Sequence, residues 1–141
     1  MIKILFICHG NICHSPMAEF VMKDLVKKAG LESQFHIKSA ATSREEIGNP
    51  VYPPARRKLA EHGISCDGHA ARQLTNQDYD EHDLLIGMDS ANLRNMHRIC
   101  GGDFAANCVV FSRRNLENLQ WYSMTHGGNR KVAAFVVFGI L

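Results

Sequence analysis

A strand-length apolar run, Ile2-Lys3-Ile4-Leu5-Phe6-Ile7, opens directly onto the polar loop Cys8-His9-Gly10-Asn11-Ile12-Cys13-His14-Ser15-Pro16. A helix-forming stretch follows, from Met17 to Leu25. Strand, tight loop with a glycine, then helix is the layout of an anion cradle: successive backbone N–H groups point inward and the helix N-terminus adds partial positive charge. A cysteine opening that loop shares the same field, which favours its thiolate form. A thiolate facing an oxyanion cradle is equipped for nucleophilic attack on a phosphate ester.

The rest of the chain repeats the alternation. Proline suits a first helical turn and glycine a stop, so a helix is expected from Pro16 to Lys28, ended by Gly30. Phe35 to Ala40 alternates as a second strand, and Thr42 to Pro54 is a Gly-, Pro- and Asn-bearing loop. Ala55 to His62 reads as a helix closed by Gly63. Residues 69–74 are irregular, and Thr75 can cap a short helix containing Asp78 and Tyr79. Asp83 to Met88 reads as a buried strand, and Asp89 or Ser90 caps a helix running through Arg98, before the turn Gly101-Gly102-Asp103. Such alternation implies an α/β fold, a parallel sheet with helices on both faces. Right-handed crossovers bring the strand-to-helix loops to one sheet edge, with Cys8 and Asp89 both on it.

A chain of 141 residues is sized for one domain, 1–141, with a real core. The formal net charge of +2 gives no reason to expect nucleic-acid binding, and Arg56-Arg57-Lys58 reads as the wet face of a helix. No run reaches the ~18 apolar residues of a membrane span, and the N-terminus lacks a signal-peptide pattern. The five cysteines, Cys8, Cys13, Cys66, Cys100 and Cys108, are odd in number and form no paired zinc spacing. Free thiols in a reducing cytoplasm are the simplest expectation.

The opening loop resembles that of the low-molecular-weight protein tyrosine phosphatases, whose signature is Cys, five residues, Arg, then Ser or Thr. Cys8 stands at the nucleophile position, Asn11 at the loop-bracing Asn and Ser15 at the Ser, with Ser15-Pro16-Met17-Ala18-Glu19 continuing the match. Gly48-Asn49-Pro50-Val51 is similar to the family's second loop, and His69-Ala70-Ala71-Arg72-Gln73-Leu74 to its His-x-Ala-Arg-Gln segment. Gly87-Met88-Asp89 matches the end of its third strand, so the likeness runs over 1–103. The resemblance implies a four-stranded parallel sheet in a phosphatase I-like three-layer sandwich. It implies catalysis by Cys8 and Ser15, with His14 at the Arg position. It also implies phosphate held by the backbone of His9, Gly10, Asn11, Ile12, Cys13 and His14, and loop support from Asn11, Ser15 and His69. Substrates would be a phosphotyrosine protein or a small aryl phosphate, with no metal and no cofactor.

Two departures qualify that expectation. His14 replaces the arginine that would meet two phosphoryl oxygens with a permanently charged fork. Histidine is shorter and mostly neutral at pH 7, and losing one oxyanion donor alone typically costs on the order of 10²–10³ in rate. His14 either fills space in a loop that no longer binds phosphate or retains a weakened contact there. A metal held by His14 with Cys8 and Cys13 lacks a further ligand in the loop.

The second departure is the tail, 104–141, which is atypical of the family. The family's general acid sits in an Asp-Pro-aromatic loop, yet no Asp follows Asp103 and the only acid is Glu117, which reads as a surface residue. Lys131 to Leu141 is apolar all round and lacks the stripe of a cover helix. A reading-frame change accounts for both. Across Ser123-Met124-Thr125-His126-Gly127, a frame starting at the third base of the Ser codon must yield Asp from Met–Thr. The same frame can yield Pro and then Trp from the codons that follow. Three functions remain in view: a phosphatase of impaired turnover, a non-catalytic phosphate- or partner-binding module of the same fold, and an arsenate reductase. The last needs a thiol relay to Cys8, for which nothing places Cys100 or Cys108.

Overall fold

The computed structural model describes residues 1–100 and the backbone of 108–110. Four parallel strands form one sheet in the order β2-β1-β3-β4. They are β1 (Ile2–Cys8), β2 (Phe35–Ala41), β3 (Leu84–Gly87) and β4 (Cys108–Val110). The connecting helices are α1 (His14–Lys28), α2 (Pro53–Glu61), α3 (Asn76–Glu81) and α4 (Ser90–Cys100), with a 3₁₀ turn at Glu32–Gln34. The alternation read from the sequence is therefore the fold, and the sheet is the expected four-stranded one. Of the atypical tail, Cys108–Val110 pairs beside β3. Glu117, the Ser123–Gly127 segment and Lys131–Leu141 lie outside the described residues.

β1 sits centrally, paired with β2 from Ile2↔Phe35 to Cys8↔Ala41 and with β3 from Ile4↔Leu84 to Ile7↔Gly87. A central strand of a parallel sheet is buried on both faces, which is why Ile4 to Ile7 form a continuous apolar run instead of an alternating one. Ile4 and Phe6 face α1, packing with Ala18, Met22 and Val26. Leu5 and Ile7 face the other side, where Leu85 and Met96 meet them. A third apolar cluster, Val51, Ala55, Leu59 and Cys66, seats α2 against Met17, Phe20 and Val21 of α1. Phe6 is wholly enclosed, and truncating such a side chain to alanine typically costs about 3–5 kcal/mol.

Helix ends follow local chemistry. α1 starts two residues before the expected Pro16; proline is tolerated there because first-turn N–H groups have no intrahelical partner. Gly30 and Gly63 take φ of +71° just past α1 and α2, the left-handed stop expected of them. Thr75 caps α3 in a reciprocal box with Asp78. Asp89 caps α4 by accepting from the Asn92 N–H at 2.7 Å. No helix among the described residues is long and apolar enough to cross a membrane.

Candidate active site

The loop between β1 and α1 lies at the carboxyl edge of the sheet, and its carbonyls point away from its centre. The Cys8 and His9 carbonyls accept from Thr42 N (2.9 Å) and Ser43 N (3.0 Å), just past the end of β2. Ile12 O accepts from Tyr52 N at 2.7 Å, and Cys13 O from Met17 N at 3.0 Å. The Asn11 carbonyl accepts from His69 Nε2 at 2.7 Å. In trans peptides N–H and C=O are opposed, so carbonyls anchored outward leave the loop's N–H groups turned toward its centre. The Asn11 N–H reaches Cys8 Sγ at 3.2 Å.

Asn11 is the keystone of the loop. It is fully buried and adopts φ 59°, a left-handed conformation that Asn tolerates better than most side chains. Its Oδ1 accepts from the Arg72 N–H at 3.2 Å, and its Nδ2 donates to Ser15 Oγ at 2.9 Å. Ser15, also fully buried, lies 2.9 Å from Cys8 Sγ. Asn11, Ser15 and His69 thus converge on the loop. At Gly10 a Cβ would stand 3.3 Å from Glu46 Cγ, a tight approach that the Glu46 side chain would have to yield to.

The outer side of the loop is different in kind. His9 is exposed and pairs with Glu45 at 3.0 Å. His14, the first residue of α1, is exposed and makes no hydrogen bond with the described residues. Cys13 is half-buried; burial, followed by the neighbouring Cys8, pushes its thiol above the ordinary range. Among the described residues no three His, Cys, Asp or Glu side chains are placed to hold a metal ion.

Two supporting features escaped the sequence reading. Glu19 is buried on α1, where Ser39 Oγ donates to it and Lys23 Nζ pairs with it at 2.6 Å. The signal was a glutamate at the helical spacing of the buried Ser15 and Met22. Arg72 holds Asp78 through a two-bond fork, 2.8 and 2.9 Å. Thr75-x-x-Asp78 was legible as a cap, but the arginine partner was not.

A cysteine-led loop with its carbonyls anchored outward, at the carboxyl edge of a parallel α/β sheet, is what the fold and the site together define. A family model described as low molecular weight phosphotyrosine protein phosphatase matches residues 3–113. The low molecular weight protein-tyrosine-phosphatase YfkJ of Bacillus subtilis is 44% identical over 101 residues, 72% of this chain and 65% of that protein. The low molecular weight phosphotyrosine protein phosphatase of Schizosaccharomyces pombe is 44% identical over 111 residues, 78% and 70% of the two chains. The crystal structure of YfkJ superposes with a TM-score of 0.79 at 32% identity, covering 99% of this chain and 93% of that one. This chain belongs to the low molecular weight phosphotyrosine protein phosphatase family. In sequence it spans about two thirds of the length of the Bacillus relative.

Proposed function

We propose that this chain is a phosphomonoesterase acting on phosphotyrosine in proteins or on small aryl phosphates, through a phosphocysteine formed on Cys8. Cys8 Sγ attacks phosphorus, forming the S–P bond as the P–O bond to the aryl group breaks. The aryl oxygen leaves with the bonding pair and takes a proton. Water then attacks phosphorus, the S–P bond breaks, and phosphate departs as the thiolate returns. Backbone N–H groups of residues 9–14 hold the phosphoryl oxygens, and Ser15 steadies the sulfur. The observation that carries this reading is Cys8 Sγ at the centre of the loop, 3.2 Å from the Asn11 N–H and 2.9 Å from Ser15 Oγ.

Turnover is low in this reading. His14 supplies no permanent charge to the phosphoryl oxygens, and Glu117 is the only acid after Asp103. The reading includes a frame change after about Asp103, which displaces the Asp-Pro-Trp acid loop, and free thiols fit a cytoplasmic setting. The nucleotide sequence from codon 100 onward tests the frame change directly. The competing reading is a binding module without turnover, which the exposed His14, lacking a permanent charge, weakens as well, since holding a phosphate dianion would also draw on a cation there. Incubation with ³²P-labelled phosphotyrosine peptide and acid quench separates the two. Label that stays on the native chain but not on Cys8→Ser supports the phosphatase. Peptide binding with neither label nor phosphate release supports the module, and arsenate reduction without phosphate release would point to the third activity.

A further inference from the structure

We infer that the Arg72–Asp78 pair is a positioning device for Cys8, holding in place the Arg72 peptide whose N–H starts the hydrogen-bond chain that ends on its sulfur. This rests on Cys8 being the reactive group of the proposed function. Asp78 is buried on α3, and a carboxylate there must be matched by donors. Its Oδ2 accepts from Arg72 Nη1, Thr75 N and Thr75 Oγ1, and its Oδ1 from Arg72 Nη2. Burial pushes the carboxyl up, but the Arg72 fork and the Thr75 bonds outweigh it and hold the group below the ordinary range. Asp78 is therefore a permanent anchor, and the planar fork admits one orientation of Arg72.

The peptide of Arg72 is the other end of that anchor. Its carbonyl accepts from Ala41 N at 2.7 Å, and its N–H donates to Asn11 Oδ1. Donor bookkeeping then sets every later link. A backbone N–H can only donate, so the atom facing it is the Asn11 oxygen and the amide NH₂ must face Ser15. Nδ2 therefore donates to Ser15 Oγ. Facing Cys8 as the thiolate of the proposed reaction, which can only accept, the Ser15 hydroxyl turns its own hydrogen to Sγ. The sulfur receives two donors, Ser15 O–H and Asn11 N–H, the arrangement that stabilises a thiolate. Arg72 and Asp78 reach Cys8 only through Asn11 and Ser15, so they are positioning residues.

The test is the rate of iodoacetamide alkylation of Cys8 in the full chain from pH 5 to 8, read by mass spectrometry against Cys66 as internal reference. Asp78→Asn and Arg72→Met are expected to slow Cys8 labelling at pH 6.5 about three- to tenfold and to displace the profile to higher pH. Arg72→Lys, which keeps the charge without the fork, should fall between. Ile37→Val, a core change outside the chain of bonds, should lower the melting temperature without moving the profile. A Cys8 profile unchanged in Asp78→Asn and Arg72→Met, with melting lowered, would overturn the inference and leave the pair a structural tie. Should Asp78→Asn not melt cooperatively, Arg72→Lys decides by the same criterion. Absent phosphate release together with slowed labelling would refute the phosphatase reading while supporting this one.

Discussion

The inner frame of the loop between β1 and α1 and its outer side obey different rules. Inside, Asn11 and Ser15 are fully buried; they bond to each other and to Cys8, and Asn11 Oδ1 accepts from the Arg72 N–H outside the loop. Outside, His9 and His14 are exposed, and His14 has no hydrogen bond to the described residues. The frame can persist without a ligand because its partners are internal. The side chain of His14 takes no part in those internal bonds. An exchange of the side chain at position 14 therefore leaves the bonds of the frame standing.

The strongest way to break that contrast is to restore the outer side. His14→Arg, combined with a tail recoded in the frame that gives Asp-Pro-Trp, should raise phenyl phosphate turnover by at least about 10⁴-fold, since a well-placed donor and a general acid are each worth about 10²-fold or more. His14→Arg alone should tighten phosphate inhibition and recover only part of the rate. Unchanged phosphate inhibition would remove His14 from the site.

The next largest effect comes from the frame. Asn11→Ala forces a left-handed backbone on alanine and strands the Arg72 N–H, so it should cost about 3 kcal/mol in urea unfolding. Asn11→Gly relieves the backbone term and isolates the lost bonds. Equal losses in the two variants would show that the conformation contributes nothing.

Much of this was legible beforehand. The run Ile2–Ile7, the cysteine-led loop and the helix after it fixed the central crossover, because burial on both faces leaves a continuous apolar run. Asn11, Ser15 and His69 were placed by motif, and the structure brings all three onto the loop. The links through Arg72, Asp78 and the Glu19–Ser39 contact were not legible. Sequence spacing shows which face a residue occupies, whereas these contacts join elements through tertiary closure. Nothing local marks Ser39 as the partner of a glutamate twenty positions earlier.

Two smaller effects sharpen the comparison through pH. The folded Asp78 carboxyl lies below its unfolded value of 3.8. Its stabilisation is therefore complete above that value and lost as pH falls through the folded one. Asp78→Asn should flatten the acid limb of a stability–pH curve, and an unaltered limb would place that sensitivity elsewhere. His36 on β2 is the weaker case. Burial first, then Lys38, His82, Lys3 and Lys23, hold its ring below the ordinary 6.5, so the fold favours the neutral form. Stability is full above 6.5 and declines as pH falls from there through the folded value. His36→Gln should remove that shallow slope in melting measurements between pH 7 and 5, without altering Cys8 labelling.

The strand order carries a consequence for synthesis on the ribosome. β2, β1 and β3 are complete by Gly87, and β4 is added at the outer edge beside β3. The hydrogen bonds that hold the loop come from Ser15, Thr42, Ser43, Tyr52, His69 and Arg72, and the anchor at Asp78 follows at once. Every one of these groups has been translated before the codon for Cys100 is read. A shift of frame beyond that point cannot remove any partner of the cradle. Vectorial translation thus leaves the Cys8 loop and these partners independent of the last third of the message, where the expected acid loop lies.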